Sequence, residues 1–390
     1  MRTTLLTLLL FFSFYFGQAQ VTTAVAKYLL DTSVSESSGL IYYNGKIITH
    51  NDSDGAAALY EMDPSDPTIT RTVTINGANN VDWEDITHDA DYIYIGDMGN
   101  NSGDRVDLKI YKISKTDYNA SDSVTAEIIN FSYANQSDFT SNPQATPWDA
   151  ETLMAIDANN LLIISKNWET FVAQAYLVSK TPGTYSVSPL ASTLYDTSFP
   201  NDIITGGTYN PFTNKVFLIG YTWNTSSLNV LQPFIYDCSG FSGTDVFSGT
   251  NTRYDISGSS LGNFSYEQTE GITYVDADTY FVTSEYFSES YSIYTLEDTG
   301  KLIEVTTNDV ALSVEDVNSE IFEMYPNPTR GMVLINTSNA MQVEVYNMQA
   351  QRLMKTYSNT VDLSAFRSGM YLFKITVNDG QPVLKKVLKY

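Results

Sequence analysis

The sequence is poor in cysteine and histidine, and this shortage excludes two classes of site. Cys238 is the one cysteine among 390 residues, so no disulfide can form within the chain and its stability depends on buried apolar surface. One cysteine and two histidines are too few for a conventional zinc site, which takes nitrogen and sulfur ligands. Cations that prefer oxygen ligands are not excluded.

Basic residues are also scarce, with 21 Lys and Arg against 45 Asp and Glu and a net charge of −24. The imbalance lies between residues 20 and 317, where 12 basic residues face 40 acidic ones, whereas from residue 318 onward 8 basic residues outnumber 5 acidic ones. A surface this acidic repels nucleic acid and anionic membranes and attracts cations. We therefore expect no nucleic-acid partner. A calcium-related role and the simple solubility of a secreted protein explain the acidity equally well.

Long hydrophobic runs are absent except near the start of the chain. Arg2 precedes an apolar run over residues 5–16, and the small residues Gly17 and Ala19 follow it. The run is shorter than the roughly 20 residues that span a bilayer, and its flanks are typical of a secretory signal peptide. We predict a signal peptide over residues 1–19, no membrane span, and export of the mature chain.

The sequence is rich in short runs of aromatic and β-branched residues, bounded by Asn, Asp, Gly and Ser. Such runs are typical of β-strands, and helical periodicity is nearly absent. Five similar segments, about 40–50 residues apart, each open a group of these runs, a spacing typical of propellers. The segments are residues 37–41, 83–87, 150–154, 206–210 and 269–273. The pattern predicts an all-β fold with a five-bladed β-propeller over residues 20–313; six blades, one of them degenerate, are the alternative.

The fifth group of strands has no clear fourth member. Its predicted strands are residues 271–275, 280–284 and 291–296. Residues 28–31, which have no partner of their own, or residues 301–305 would supply the missing strand. Closure of the ring by the chain's own terminus removes exposed sheet edges.

A different pattern begins after a linker over residues 314–323. Half-buried strands are predicted at residues 333–336, 342–347, 352–357, 371–377 and 383–388. They form a small antiparallel β-sandwich over residues 324–390, near the lower size limit for independent folding.

This tail also carries a specific series of motifs. They are, in order, Tyr325-Pro326-Asn327-Pro328, Val343-Glu344-Val345-Tyr346-Asn347, Val361-Asp362-Leu363, Ser368-Gly369-Met370-Tyr371 and Lys385-Lys386-Val387-Leu388. Over residues 318–390 the chain resembles the type IX secretion C-terminal sorting domain of Bacteroidetes. The resemblance implies export through the periplasm and across the outer membrane, recognition of the tail by the secretion machinery, and a final place on the cell surface or in the medium.

The repeated segments share a position that carries glutamate in three copies, namely Glu84, Glu151 and Glu270. A ring fold would gather these carboxylates around one axis, where like charges raise each other's pKa. A Ca²⁺ ion relieves such repulsion and accepts about six to eight oxygen ligands. We predict an axial calcium site; the alternatives are another cation, or glutamates that cap turns and accept backbone N–H groups.

A resemblance to a known family extends this ligand set. The carrying residues are Ser38-Gly39-Leu40-Ile41-Tyr42-Tyr43-Asn44-Gly45-Lys46, Glu84 ahead of Tyr92-Ile93-Tyr94-Ile95-Gly96, Glu151, and Glu270-Gly271-Ile272. Over residues 36–275 the chain resembles the calcium-activated nucleotidases (apyrases). The resemblance implies a five-bladed propeller whose axial calcium is held by serine and glutamate side chains. The matching positions are Ser38, Glu84, Glu151 and Glu270, with Thr205 as a looser match in the fourth blade.

Nucleotidase chemistry is less well supported, because phosphoryl transfer needs cationic groups on the phosphate. The loop over residues 50–55 is acidic where that family carries an arginine. Lys166 and Arg105 are the candidate catalytic cations, and a solvated lysine and a loop arginine are their alternative identities.

We therefore predict an exported propeller that acts as a binding or scaffold module, with an ion that rigidifies the ring. The alternatives are a calcium-dependent phosphoester hydrolase and a lactonase-like, metal-dependent propeller hydrolase. The ligand would be a small molecule, a glycan or a protein. For a glycan, exposed aromatic residues would line the groove, namely Trp168, Tyr221, Trp223 and Tyr286.

Overall fold

The fold comes from a computed structural model, which describes residues 21–53, 55–223, 231–256, 267–291, 294–309, 323–336, 341–347, 352–377 and 383–390. The chain divides into two compact units, one ending at Ala311 and one running from Leu312 to Tyr390. The predicted signal peptide and most of the predicted linker lie outside the described residues. Among the described residues, no helix has the length and apolar character needed to cross a membrane.

The first unit is a ring of five antiparallel sheets, here called blades, each with its first strand nearest the axis. Strand β1 (Val21–Leu29) and a 3-10 turn (Thr32–Val34) precede the first blade. Blade 1 comprises β2 (Ser37–Tyr43), β3 (Lys46–Asn51), β4 (Ala58–Asp63) and β5 (Asp66–Asn76). Blade 2 comprises β6 (Trp83–His88), β7 (Tyr92–Asp97) and β8 (Lys109–Ser114), then helix α1 (Lys115–Ala120) and β9 (Ser123–Thr125) outside the blade, and β10 (Glu127–Tyr133) as its fourth strand.

The next two blades repeat this plan. Blade 3 comprises β11 (Asp149–Ala155), β12 (Asn160–Lys166), β13 (Ala173–Ser179) and, after β14 (Gly183–Val187), the outer strand β15 (Pro189–Leu194). Blade 4 comprises β16 (Asp202–Asn210), β17 (Lys215–Thr222), β18 (Gln232–Ser239) and β19 (Thr250–Asp255).

Blade 5 is completed by the beginning of the chain. Its first strands are β20 (Thr269–Tyr274) and β21 (Thr279–Ser284); the hairpin of β22 (Phe287–Tyr291) and β23 (Tyr294–Asp298) follows, and then β24 (Lys301–Thr307). The sheet order is β20–β21–β24–β1, with Ala24 opposite Val305. The predicted closure by the N-terminal segment is confirmed. The two rival segments are both used, one as third and one as fourth strand. The prediction that residues 291–296 form a blade strand is wrong, because the described residues Tyr291 and Tyr294–Leu296 belong to the separate hairpin.

The five inner strands touch each other in the cyclic order β2, β6, β11, β16, β20. They approach so closely that a Cβ on Gly39 would lie 2.6 Å from the Ile86 nitrogen, and one on Gly206 would lie 2.1 Å from the Glu270 carbonyl oxygen. The glycines of the repeated segments are therefore required by the narrow ring. Asp85, which is fully buried, fastens adjacent blades because its carboxylate accepts hydrogen bonds from the Ile86 and Leu153 nitrogens, both at 2.8 Å.

Apolar clusters fill the space between neighbouring blades. Ile164 of blade 3 and Leu218 of blade 4 belong to one cluster, together with Cys238, and Ile110 of blade 2 and Ile163 of blade 3 belong to another. Because both faces of a middle strand pack on a neighbouring blade, β12 is buried continuously from Leu161 to Lys166 rather than in alternation. Burial of this kind stabilises the ring without disulfides.

Two short strands cover outer edges in a parallel arrangement. Strand β9 pairs with β5 of blade 1, and β14 pairs with β10 of blade 2. Each short strand follows in sequence a strand of one blade but pairs with the outermost strand of the preceding blade. This pairing satisfies backbone groups that would otherwise be exposed at the sheet edge.

The second unit is a small antiparallel sandwich, as predicted. One sheet has the order β25 (Glu323–Tyr325), β26 (Met332–Asn336), β29 (Thr360–Asp362); the other has the order β28 (Arg352–Thr356), β27 (Met341–Tyr346), β30 (Gly369–Val377), β31 (Val383–Lys389). Val333 of the first sheet and Val345 and Phe373 of the second are fully buried in a common core.

Candidate functional site

The amino-terminal ends of the inner strands surround a cavity of about 280 Å³ at the ring axis. Ser38 of β2, Glu84 of β6, Glu151 of β11 and Glu270 of β20 all line it, and all four side chains are buried. Each residue lies near the beginning of its inner strand, so residues at the same position of the sequence repeat lie at a similar height along the ring axis. The structure therefore brings these four predicted residues together.

Thr205, the fifth predicted ligand, lies behind the cavity wall. It is fully buried, is not among the residues that line the cavity, and its hydroxyl donates to the Thr269 carbonyl at 2.5 Å. The Ser38 hydroxyl similarly donates to the Glu84 carbonyl oxygen. Both hydroxyls connect adjacent inner strands, and the Thr205 hydroxyl also interacts with the Glu270 carboxylate.

Lys166, at the end of β12, is buried in this cavity and paired with Glu151. Its Nζ lies 2.6 and 2.7 Å from the two carboxylate oxygens of Glu151 and 4.8 Å from the ring centroid of Trp168. Burial opposes the charged form of Lys166, but the combined effect of Glu151, Tyr221, Glu270 and Asp149 outweighs it and holds the pKa of Lys166 well above its ordinary value. The alternative of a solvated Lys166 is wrong, because the side chain is buried.

Arg105 serves a loop instead of the cavity. Its guanidinium donates to Asp97 Oδ1 and the Gly99 carbonyl, both at 2.7 Å, and to Asp107 Oδ1 at 3.1 Å. These bonds fold the segment that follows β7. Among the described residues that line the cavity, Lys166 is thus the one cation.

The structure adds aspartates that the sequence reasoning missed. Asp149 is fully buried, and its two oxygens accept hydrogen bonds from the Asn100 nitrogen at 2.7 Å and from Trp168 Nε1 at 2.8 Å. Asp82 precedes Glu84 by two residues, as Asp149 precedes Glu151. Side chains two apart on a strand lie on one face, so this repeated Asp-x-Glu pattern was the signal available in the sequence.

Two groups of three carboxylates share Glu84. In the first, one oxygen each of Asp52, Asp82 and Glu84 lie within 4.8 Å of one another; in the second, the same holds for Glu84, Asp149 and Glu151. The second group already has hydrogen-bond donors. The Asn100 nitrogen and Trp168 Nε1 donate to Asp149, and Lys166 Nζ donates to Glu151.

The first group is less satisfied. Asp52 Oδ1 is buried without a hydrogen-bond partner in the described part of the chain. A backbone bridge between Ser53 and Asp82 holds the Asp52 loop against the start of β6. An unpaired buried carboxylate oxygen is costly, so this atom requires a proton or a cation.

The electrostatics agree with this requirement. Burial, followed by the charge of Asp149, raises the pKa of Asp82 to about 6. Burial, followed by the nearby Asp82 carboxylate, raises the pKa of Asp52 well above its ordinary value, and burial with the Asp52 charge does the same for Glu84. The cluster therefore binds protons more readily than free carboxylates do, and a cation at this position would compete with those protons.

One wall of the cavity is aromatic. Trp168, Tyr221, Trp223 and Phe287 line it, and the Trp168 and Trp223 rings meet edge to face with centroids 5.5 Å apart. Trp168 and Tyr221 are buried, so the expectation that they are exposed is wrong, although both face the cavity. Tyr286 is 44 % exposed and is not part of this wall.

Comparison with solved structures finds propeller glycoside hydrolases at very low identity. The α-L-arabinofuranosidase from Podospora anserina is 9 % identical, with 74 % of this chain and 98 % of that chain covered and a TM-score of 0.41. An exo-β-1,3-galactanase from Phanerochaete chrysosporium is 9 % identical, with 95 % and 90 % covered and a TM-score of 0.41. The GH43 endo-arabinanase from Bacillus licheniformis is 10 % identical, with 73 % and 98 % covered and a TM-score of 0.40.

No curated protein matches the sequence. The resemblance to the apyrases stays a prediction. The likeness to the glycoside hydrolases, at TM-scores of 0.40 and 0.41, carries no argument about the activity of this chain.

The tail gives a specific match. Residues 323–389 match the family described as the secretion system C-terminal sorting domain. The chain is exported through the type IX system to the cell surface or the medium, and its tail is the part that interacts with the secretion machinery.

Proposed function

We propose that the propeller is an exported binding module whose axial cavity holds a hard divalent cation, with calcium as the expected ion. The observation that carries the proposal is the group of Asp52, Asp82 and Glu84, which place one oxygen each within 4.8 Å of one another, while no described residue donates a hydrogen bond to Asp52 Oδ1. All available ligand atoms are oxygens, which suits Ca²⁺ rather than zinc or copper.

The ligand set differs from the one that the sequence suggested. Glu84 remains at its centre, and the Ser38 hydroxyl lies 3.5 Å from Glu84 Oε2. Glu151 is occupied by Lys166, and Thr205 lies behind the wall. We therefore assign the cation to Glu84 with Asp52 and Asp82, which form no ion pair with Lys166 among the described residues.

The same charges argue against phosphoester hydrolysis. The one cation that lines the described cavity, Lys166, is neutralised by Glu151, whereas a transferring phosphate needs cationic partners. Clustered carboxylates repel anionic substrates. A neutral ligand that contacts the ion and the aromatic wall fits this cavity better, which favours a binding role. No contact in the cavity specifically favours a lactonase.

The test is calorimetric titration of chelator-treated protein with CaCl₂. We expect one site in the wild type and, because a ligand of the ion is removed, affinity lowered about tenfold or more in Glu84→Gln. The matched control is Glu127→Gln, because Glu127 is 60 % exposed on the outside of blade 2. Asp52→Asn and Glu270→Gln distinguish the ligand set assigned here, which includes Asp52, from the set predicted from the sequence, which includes Glu270. We expect the larger loss of calcium affinity in Asp52→Asn. Equal affinity in wild type and Glu84→Gln would refute the proposal.

A further inference from the structure

A second and larger cavity lies at the opposite ends of the inner strands. Its volume is about 630 Å³, within the range of small-molecule sites. Ile41, Ile86 and Ile272 form part of its apolar lining, and Tyr209 and Tyr274 add aromatic surface. Glu84 and His88 stand at opposite ends of β6, so the two cavities are separate features of the ring.

Lys115, which lines this cavity, differs from the other buried lysines of the propeller. Lys166 is paired with Glu151, and Lys180 is paired with Asp89 Oδ2 at 2.9 Å. Lys115 is only 7 % exposed, yet no carboxylate oxygen of the described residues lies within 4.0 Å of its Nζ. A buried cation without a counterion is unfavourable and is seldom kept without a purpose.

The contacts of Lys115 are all uncharged. Its Nζ donates to His88 Nδ1 at 2.9 Å and to the Asp89 carbonyl at 2.5 Å, and it lies 4.2 Å from the ring centroid of Tyr43. An ammonium has three hydrogens, so one remains for a ligand. His88 accepts through Nδ1 and stays neutral, since burial and then the Lys115 charge lower its pKa to about 4.

The nearest carboxylate is already committed elsewhere. Asp89 Oδ1 accepts hydrogen bonds from the backbone nitrogens of Asp91 and Tyr92. Its Oδ2 accepts hydrogen bonds from Lys180 Nζ and the Tyr94 hydroxyl, and all four distances are 2.9–3.0 Å. Only the backbone carbonyl of Asp89 faces Lys115. Asp89 therefore forms its ion pair with Lys180, and no carboxylate of the described residues forms an ion pair with Lys115. The charges of Asp89 and Asp91 act on Lys115 only from a greater distance.

We propose that this cavity is a second ligand site, which binds a small organic carboxylate through Lys115. One unpaired ammonium matches one negative charge, and the isoleucine and tyrosine lining matches an apolar body. Asp91 and Asp157 stand exposed at the rim, so their charges are screened by water, but they disfavour a ligand of higher negative charge.

The test uses benzoate as the probe and benzyl alcohol as its uncharged analogue, with titration followed by calorimetry or ligand-observed NMR. We expect the wild type to bind benzoate about tenfold or more tightly than benzyl alcohol, because the ammonium would be left unpaired by the alcohol. In Lys115→Met, which keeps the length and removes the charge, this preference is lost. Lys112→Met is the control, because Lys112 lies on the neighbouring strand β8 and does not line the cavity.

Several results would overturn the proposal. They are equal wild-type affinity for benzoate and benzyl alcohol, absence of benzoate binding to the wild type, and undiminished benzoate affinity in Lys115→Met. The wild-type comparison stands even where the variant folds poorly. Calcium is kept constant throughout, so that failure of the axial ion site does not affect the outcome.

Discussion

Replacing Lys166 by methionine is the most informative single perturbation of the axial cavity. The Lys166 and Glu151 side chains are 6 % and 5 % exposed, and Nζ contacts both carboxylate oxygens. Methionine fills most of the same space but leaves Glu151 as a buried charge without a partner. Such a loss costs about 3–5 kcal/mol, far more than the loss of a surface ion pair.

The size of the effect should depend on pH in a defined direction. Burial raises the pKa of Glu151, and removal of the ammonium raises it further. A carboxyl whose folded-state pKa is raised adds stability below its unfolded value of about 4, and this is lost as pH rises through the folded-state pKa. Lys166→Met should therefore be destabilised little at pH 5 and fully at pH 8.

Chemical denaturation of the wild type, Lys166→Met, Glu151→Gln and the double variant at both pH values measures this coupling. In the double variant neither charge is buried alone, so most of the lost stability should return. The reasoning is refuted if Lys166→Met costs less than about 1 kcal/mol at pH 8, the value of a typical surface pair, or if its cost is the same at pH 5.

Three further predictions concern other charges of the ring. Lys115→Met should leave the unfolding free energy nearly unchanged or raise it. Lys180→Met should lower it by about 1–2 kcal/mol, because it removes the ion-pair partner of Asp89, a partly exposed carboxylate that keeps three other donors. Denaturation at pH 7 checks both. Gly99→Ala should weaken calcium binding with little loss of stability. The added Cβ would lie 2.0 Å from Glu84 Oε1 and 2.4 Å from Asp82 Oδ2, and would therefore displace both carboxylates. Calorimetry measures the affinity, and an unchanged affinity would contradict the assigned ligands. The metal-free protein should lose stability as pH rises from about 4 through the Asp82 pKa of about 6, because the folded state binds the Asp82 proton more tightly than the unfolded state does. Denaturation across this pH range should show a smaller loss in Asp82→Asn. Identical pH profiles of the two proteins would disprove this prediction.

The strand pattern of the propeller was largely predictable because each inner and middle strand is a short, strongly β-forming run with turn residues at both ends. Blade 5 shows where this fails. Residues 291–296 are as β-prone as residues 301–305, and only the pairing partners distinguish them. Strand β24 pairs with β21 on one side and β1 on the other, and this contact spans nearly the whole propeller sequence.

The axial cavity was predictable in part for a similar reason. Glu84, Glu151 and Glu270 meet because repeats place equivalent positions at equivalent heights on the axis. Lys166 was recognised as a central-strand cation, but its partner depends on how the end of β12 lies beside the start of β11, with Asp149 opposite Lys166 in the register. Asp52 reaches the cluster from a loop between β3 and β4, where no periodicity indicates direction.

The sequence by itself determined the all-β class, the repeat and the sorting tail. Each of these depends on local patterns or on short motifs that remain readable without contacts. The tertiary structure decided which charges are paired. Lys166 and Lys115 are both lysines near strand ends, yet Lys166 is neutralised by Glu151, whereas no carboxylate oxygen of the described residues lies within 4.0 Å of Lys115 Nζ. Charge pairing depends on distances of a few ångströms between residues far apart in the chain, and only the folded ring sets those distances.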